Sequence, residues 1–128
     1  MDFYLGKRSR SRLSQVHPDL RRVVERAIEL TPVDFTVLEG RRTKSRQRKL
    51  YESGASQTLN SRHLTGHAVD LAAWVDGHVR WDWPLYYKIA DAVKQAAEEL
   101  NIPIEWGGDW ESFKDGPHWQ LPWGDYPA

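Results

Sequence analysis

The 128-residue chain contains no cysteine. Disulfide staples and thiolate chemistry are excluded, so any zinc site has to be built from histidine and carboxylate. Long apolar runs are missing as well. No stretch approaches the ~20 residues of a membrane-spanning helix. The segment Met1–Arg8 has no apolar core of signal-peptide length, which predicts synthesis in the cytoplasm and no membrane insertion. Net charge is also absent, with 18 basic residues against 18 acidic ones. The balance is uneven, however. Residues 1–64 hold 14 Lys+Arg and 7 Asp+Glu, whereas residues 65–128 hold 4 and 11. A basic half can mark a polyanion-binding surface. Here the basic residues are spread over two predicted helices and a loop rather than one stripe. The expectation is therefore that the halves fold together and neutralise each other, with no nucleic-acid partner.

What is present reads as one globular domain over residues 1–128, with a basic segment at 1–12 and a tail at 122–128. A chain of this size hides roughly two-thirds of its unfolded surface, enough for a real core. No repeat or low-complexity segment is visible, and a monomer is the expectation. Lys7–Arg12 reads as a solvated basic loop. Pro18 suits the first turn of a helix, and Leu20, Val23, Val24, Ala27 and Ile28 follow helical spacing. Residues 33–38 alternate as a strand does, and 45–52 fit a second helix ending before Gly54. A polar loop over 55–67 leads to an apolar strand over 68–74 and an Asp76-Gly77 hairpin turn with its return strand at 78–81. Asp82 is placed to cap a third helix, whose apolar face is Leu85, Ile89, Ala92, Val93, Ala96 and Leu100. Short strands at 102–106 and 118–120 close the order. The predicted class is α+β: about three helices on a small, mainly antiparallel sheet.

Five histidines stand at positions 17, 63, 67, 78 and 118. His17 precedes a helix start and His78 follows a hairpin turn, so both read as structural or solvent-facing. His63 and His67 are four apart, the spacing of a helical zinc pair. Gly66 between them and the strand that follows argue against a helix, and no glutamate follows His63. His63 on a loop with Asp70 on a strand is the better pair. A carboxylate on a strand otherwise made of Ala, Val and Leu needs a partner, and a metal is one. Downstream, Asp115-Gly116-Pro117-His118 forms a tight segment that can bring His118 to the same metal and aim Asp115 at its water. Three ligands plus an open position is the usual catalytic zinc arrangement.

Ser61-x-His63-x-x-Gly66-x-Ala68-x-Asp70 followed by Asp115-x-Pro117-His118-Trp119 resembles the zinc D-alanyl-D-alanine peptidase superfamily. Within it the chain is most similar to the L-alanyl-D-glutamate endopeptidases that serve as phage endolysins. Segments 38–43, 47–51, 54–56 and 105–110 resemble that family in order, so the likeness runs over roughly residues 13–121.

The resemblance implies a fold shared with D,D-peptidases and the hedgehog signalling domain. It also implies one zinc ion held by His63, Asp70 and His118, with Asp115 as the base. Arg42 would stabilise the substrate carbonyl as it gains charge, with neighbouring Arg41 as the alternative. Ser61 and Gln47 would line the substrate cleft, with Trp106, Trp110 and Trp119 as candidate walls. The implied activity is hydrolysis of the L-Ala–D-Glu bond of peptidoglycan during host cell lysis, at the wall, after another protein has permeabilised the membrane. Two other readings are consistent with the same zinc ligands. One is a D,D-carboxypeptidase or dipeptidase, and the other is a zinc-bearing binding module without turnover. A base at position 115 argues against the second.

Overall fold

The computed structural model describes residues 3–127. Among the described residues four α-helices and five strands follow one another, with two short 3₁₀ turns between them. The helices are α1 (Lys7–Leu13), α2 (Pro18–Leu30), α3 (Lys44–Glu52) and α4 (Trp83–Leu100). The strands are β1 (Phe35–Glu39), β2 (Ala68–Val75), β3 (His78–Arg80), β4 (Glu105–Trp106) and β5 (His118–Gln120). All pairings are antiparallel. The sheet runs β1-β2-β5-β4, and β3 pairs with β2 beyond the reach of β5.

The core lies between one face of this sheet and the α2–α4 pair. Leu20, Val23, Val24, Ala27 and Ile28 are all buried, as their spacing predicts, and they meet Ile89, Val93, Ala96 and Ala97 of α4. Each fully buried Leu, Ile or Val contributes about 1.5–3 kcal/mol relative to exposure. Along β2 the alternation is strict in its consequence. Val69, Leu71 and Ala73 join this core, which turns Asp70 to the opposite face. The Asp76-Gly77 turn has φ values of 52° and 78°. Positive φ at both positions is what a type I′ hairpin requires.

The basic segment departs from the sequence reading. Lys7–Leu13 is a helix, not a solvated loop, so the described residues hold four α-helices rather than three. Its role explains it. β1 is an edge strand, and Ser9 Oγ accepts from Val37 N at 2.9 Å while Arg12 Nη1 donates to Val37 O at 2.8 Å. Helix α1 therefore satisfies edge groups of the backbone that would otherwise be open to pairing. Asp82 stands at the N-cap of α4, as expected, but its side chain makes no cap bond and pairs with Arg80 instead. Helix α3 is capped by Thr43, whose Oγ1 accepts from Arg46 N at 3.1 Å. Residues of the C-terminal tail are tied down. Arg62 Nη2 donates to Leu121 O at 3.0 Å and to Tyr126 O at 2.6 Å, and its guanidinium lies 4.2 Å from the Trp123 ring centre.

Candidate metal centre

Strand register builds the site. Glu39 on β1 is directly opposite Asp70 on β2, and Asp70 is directly opposite His118 on β5. Opposed residues share a face and sit side by side, so three polar side chains form a row across the sheet on the side away from the α2–α4 pair. Glu39 reaches this row through an irregularity. Val37 pairs with Leu71 on the core face, and the register slips between Val37 and Glu39. Without that bulge, alternation would turn Glu39 into the core with Val37.

His63 joins from outside the sheet. It sits on a 3₁₀ turn, Arg62–Thr65, whose start is capped by Ser61 and whose end is Gly66 at φ 77°. The left-handed glycine ends the turn, so His63 and His67 never share a helix face. His67 lies on another surface, with its ring 5.3 Å from that of His17. His63 Nδ1 is 2.8 Å from Gly40 O. A carbonyl only accepts, so Nδ1 carries the hydrogen and Nε2 is bare. That bare Nε2 lies 3.3 Å from Asp70 Oδ1, and His118 Nδ1 lies 3.4 Å from the same oxygen. Donor atoms of His63, Asp70 and His118 all fall within 4.8 Å of one another, the one such cluster among the described residues. Bonds of ~2.0 Å in a tetrahedral zinc site separate donors by about 3.3 Å. The observed spacing and the nitrogen–oxygen donor set both fit zinc, with three protein ligands and space left on the cleft side.

Burial raises the Asp70 carboxyl pKa, but the imidazoles of His118 and His63, which attract the carboxylate whenever they are protonated, outweigh it and hold the group well below the usual carboxylate range. The His118 imidazole is disfavoured as a cation by burial, yet Asp70 beside it leaves its pKa net raised. Asp115 is raised by burial and by the charge of Asp70, against the pull of His118, His63 and Arg42. Asp115 owes its place to Gly107. Its backbone N donates to Gly107 O at 3.0 Å, and a Cβ on Gly107 would sit 2.4 Å from Asp115 O. Only glycine allows this approach.

Arg42 takes the position beside the cluster, and the exposed Arg41 does not. Its Nη2 lies 3.6 Å from Asp70 Oδ2. Nε and Nη2 donate to the two carboxylate oxygens of Glu39 at 2.8 and 2.7 Å, and Nη1 donates to Gln47 Oε1 at 2.6 Å. Glu39 was not among the residues singled out by sequence. Its signal was the carboxylate three positions before Arg42, which says nothing without the bulge.

These groups open onto a cleft of about 860 Å³ lined by Ser61, His63, Asp70, Trp110, Phe113 and Asp115 among others. Ser61 is on the cleft, as expected. Three other expectations need correction. Gln47 is 1 % exposed and does not line the cleft; its Nε2 bonds Thr58 O and Ser56 Oγ while its Oε1 holds Arg42. Trp106 and Trp119 are core residues, stacked on each other at 5.5 Å between ring centres, with Trp106 Nε1 donating to Gly116 O. Their apolar rings fill the space under the site, and Trp110 is the tryptophan that forms a wall of it.

The family model for the phage L-alanyl-D-glutamate peptidase matches residues 1–120. The chain belongs to that family. Among its relatives, the L-alanyl-D-glutamate peptidase of Escherichia phage T5 is 36% identical over 119 residues, covering 90% of this chain and 87% of that protein. The crystal structure of the Serratia marcescens L-Ala D-Glu endopeptidase ChiX superposes with a TM-score of 0.92 at 52% identity, covering 100% of this chain and 95% of that one. A vancomycin-resistance D,D-dipeptidase, VanXYg, shares the fold at a TM-score of 0.57 and 20% identity, over 83% of this chain and 50% of that one. The predicted D,D-peptidase-like α+β fold is thus the observed one. In this phage peptidase family member, the register row of β1, β2 and β5 carries the polar groups of the cleft floor.

Proposed function

We propose that this chain is a zinc peptidase that hydrolyses the L-alanyl–D-glutamate bond of peptidoglycan stem peptides. The observation that carries the reading is the convergence of His63, Asp70 and His118 on one point of a cleft that also holds Asp115 and Arg42. The named activity of the phage T5 and Serratia relatives supports the choice of bond.

His63 Nε2, an Asp70 oxygen and His118 Nδ1 would hold the ion. When bound, zinc supplies Lewis acidity, making water more acidic and a carbonyl more electrophilic. Asp115 takes one proton from the attacking water as the new C–O bond forms at the alanyl carbonyl. It returns a proton to the glutamate nitrogen as the C–N bond breaks, so one carboxylate serves as base and then acid. Arg42 cannot swing freely, because Glu39 and Gln47 occupy its Nε and both terminal nitrogens. Its fixed cationic edge faces the site, which suits it to stabilise the carbonyl oxygen as charge develops there. Ser61, Trp110 and Phe113 line the space left for the peptide. In keeping with the phage relatives, the protein would act on the wall after another protein has permeabilised the membrane.

Mass spectrometry of purified peptidoglycan after digestion tests the bond. The expected products are muramyl-L-Ala and peptides with a free D-Glu amine. Release of free D-Ala without cleavage after L-Ala would replace this reading with a D,D-peptidase.

A further inference from the structure

Gln120 and Glu105 stand beside the site without a part in the chemistry above. Gln120 is two residues beyond His118 on β5, so both point to one face. Glu105 is its cross-strand partner on β4. Contacts link them in sequence. His118 Nε2 lies 2.8 Å from Gln120 Oε1, and Gln120 Nε2 lies 3.5 Å from Glu105 Oε2. Trp110 Nε1 donates to that same Oε2 at 2.8 Å. His118 and Gln120 are buried, while Glu105 borders the cleft.

This chain of contacts has a direction. A carboxylate only accepts hydrogen bonds, and an indole N–H only donates. Glu105 therefore takes the amide NH₂ of Gln120, which turns the Gln120 carbonyl towards His118. That carbonyl can only accept, so His118 Nε2 carries a hydrogen. A neutral imidazole has one N–H, and two acceptors face the ring: Gln120 Oε1 at 2.8 Å from Nε2 and Asp70 Oδ1 at 3.4 Å from Nδ1; the hydrogen goes to the nearer one, which leaves Nδ1 bare towards Asp70. His63 reaches the same condition by a different route, through the backbone carbonyl of Gly40.

We propose that Glu105, acting through Gln120, is a positioning residue that selects the Nδ1-bare tautomer of His118 and thereby makes it a zinc ligand. The consequence for zinc rests on the proposed function; the tautomer does not. Partners behind a ligating histidine commonly change metal affinity by 10–100-fold.

The test is Glu105→Leu alone, set beside the exchange of Glu105→Gln with Gln120→Glu. In the single variant Gln120 loses the acceptor that fixes its amide and is free to turn its NH₂ to His118. Glu105→Gln alone would not suffice, because an amide oxygen in the place of Oε2 could still accept from both Trp110 and Gln120. Two quantities are measured: zinc affinity by competition with a chromophoric chelator, and imidazole ¹⁵N shifts in metal-free protein above the imidazolium range. The single variant should bind zinc at least about 10-fold more weakly and show His118 with hydrogen on Nδ1, while His63 keeps its tautomer. The double exchange restores an acceptor opposite His118 and should recover both readouts. Wild-type affinity together with the wild-type His118 tautomer in Glu105→Leu would overturn the proposal. So would Nδ1–H on His118 in the unsubstituted protein, a result that needs no variant to fold. Wild-type protein that keeps Nε2–H on His118 but takes up no zinc would overturn the zinc reading and leave the tautomer selection standing.

Discussion

The floor of the cleft and its rim are made from neighbouring stretches of chain by different means. On the floor, Glu39, Asp70 and His118 are fixed by strand register, and every one of them has a partner at hydrogen-bond or ion-pair distance. On the rim, Phe113 is 70 % exposed and sits at a positive φ of 54°. Two residues later the same loop is anchored again, because Asp115 bonds Gly107 and His118 through its backbone. The contrast separates two tasks. Groups that handle protons and charge need positions held to fractions of an ångström; the sheet supplies them for Glu39, Asp70 and His118, and the backbone bond to Gly107 supplies one for Asp115. Groups that only bound the peptide's space can sit on a looser loop.

That contrast orders the expected effects. Asp115→Asn keeps the shape and removes the proton acceptor, so cleavage of peptidoglycan should fall by about 10²–10⁴ in kcat while bound zinc stays at the wild-type level. Arg42→Ala should cost about 10²–10³ in kcat and also lower the melting temperature, because it takes two donors from half-buried Glu39 and leaves it the longer bond from Arg46 at 3.4 Å. Phe113→Ala should change kcat/KM by less than about 10-fold, mostly through KM, with unchanged melting temperature, since truncating one exposed contact is worth ~1–2 kcal/mol at most. If Phe113→Ala lowered kcat as much as Arg42→Ala, the division between floor and rim would fail.

The smallest effect lies farthest from the cleft. Tyr126 donates to Asp19 Oδ2 at 2.7 Å and holds that carboxyl below its ordinary value of 3.8. A depressed carboxylate adds stability that is present above its unfolded pKa and disappears as pH falls through the folded one. Tyr126→Phe should therefore lower the melting temperature by about 2–4 °C at neutral pH, for a hydrogen bond worth roughly 1 kcal/mol. The difference from wild type should shrink once the pH drops below 3.8. A gap that persists unchanged at acid pH would assign the effect to packing of the ring instead.

Much of this was legible in the chain itself, and the reasons are specific. Helices α2 and α4 announce themselves because one face of each is apolar at helical spacing. The Asp76-Gly77 turn has few alternatives. His63, Asp70, Asp115 and His118 stand in a pattern whose family resemblance outweighs what spacing alone could decide. Helix α1 was hidden, because it is held by Ser9 and Arg12 bonding an edge strand rather than by an apolar stripe. Glu39 was hidden behind a bulge, which breaks the alternation a strand is read by. Gln47 and Trp106 look like cleft residues in a motif, but whether a polar or aromatic side chain faces a cavity or supports its wall depends on burial, which has no one-residue signature.

The central claim is that His63, Asp70 and His118 hold one zinc ion on which cleavage depends. Metal analysis of the purified protein, with peptidoglycan digestion before and after chelation and zinc re-addition, tests it most directly. The account expects one zinc per chain, loss of cleavage on chelation and recovery on re-addition, with His118→Ala unable to recover. Undiminished cleavage by verified metal-free protein would contradict it.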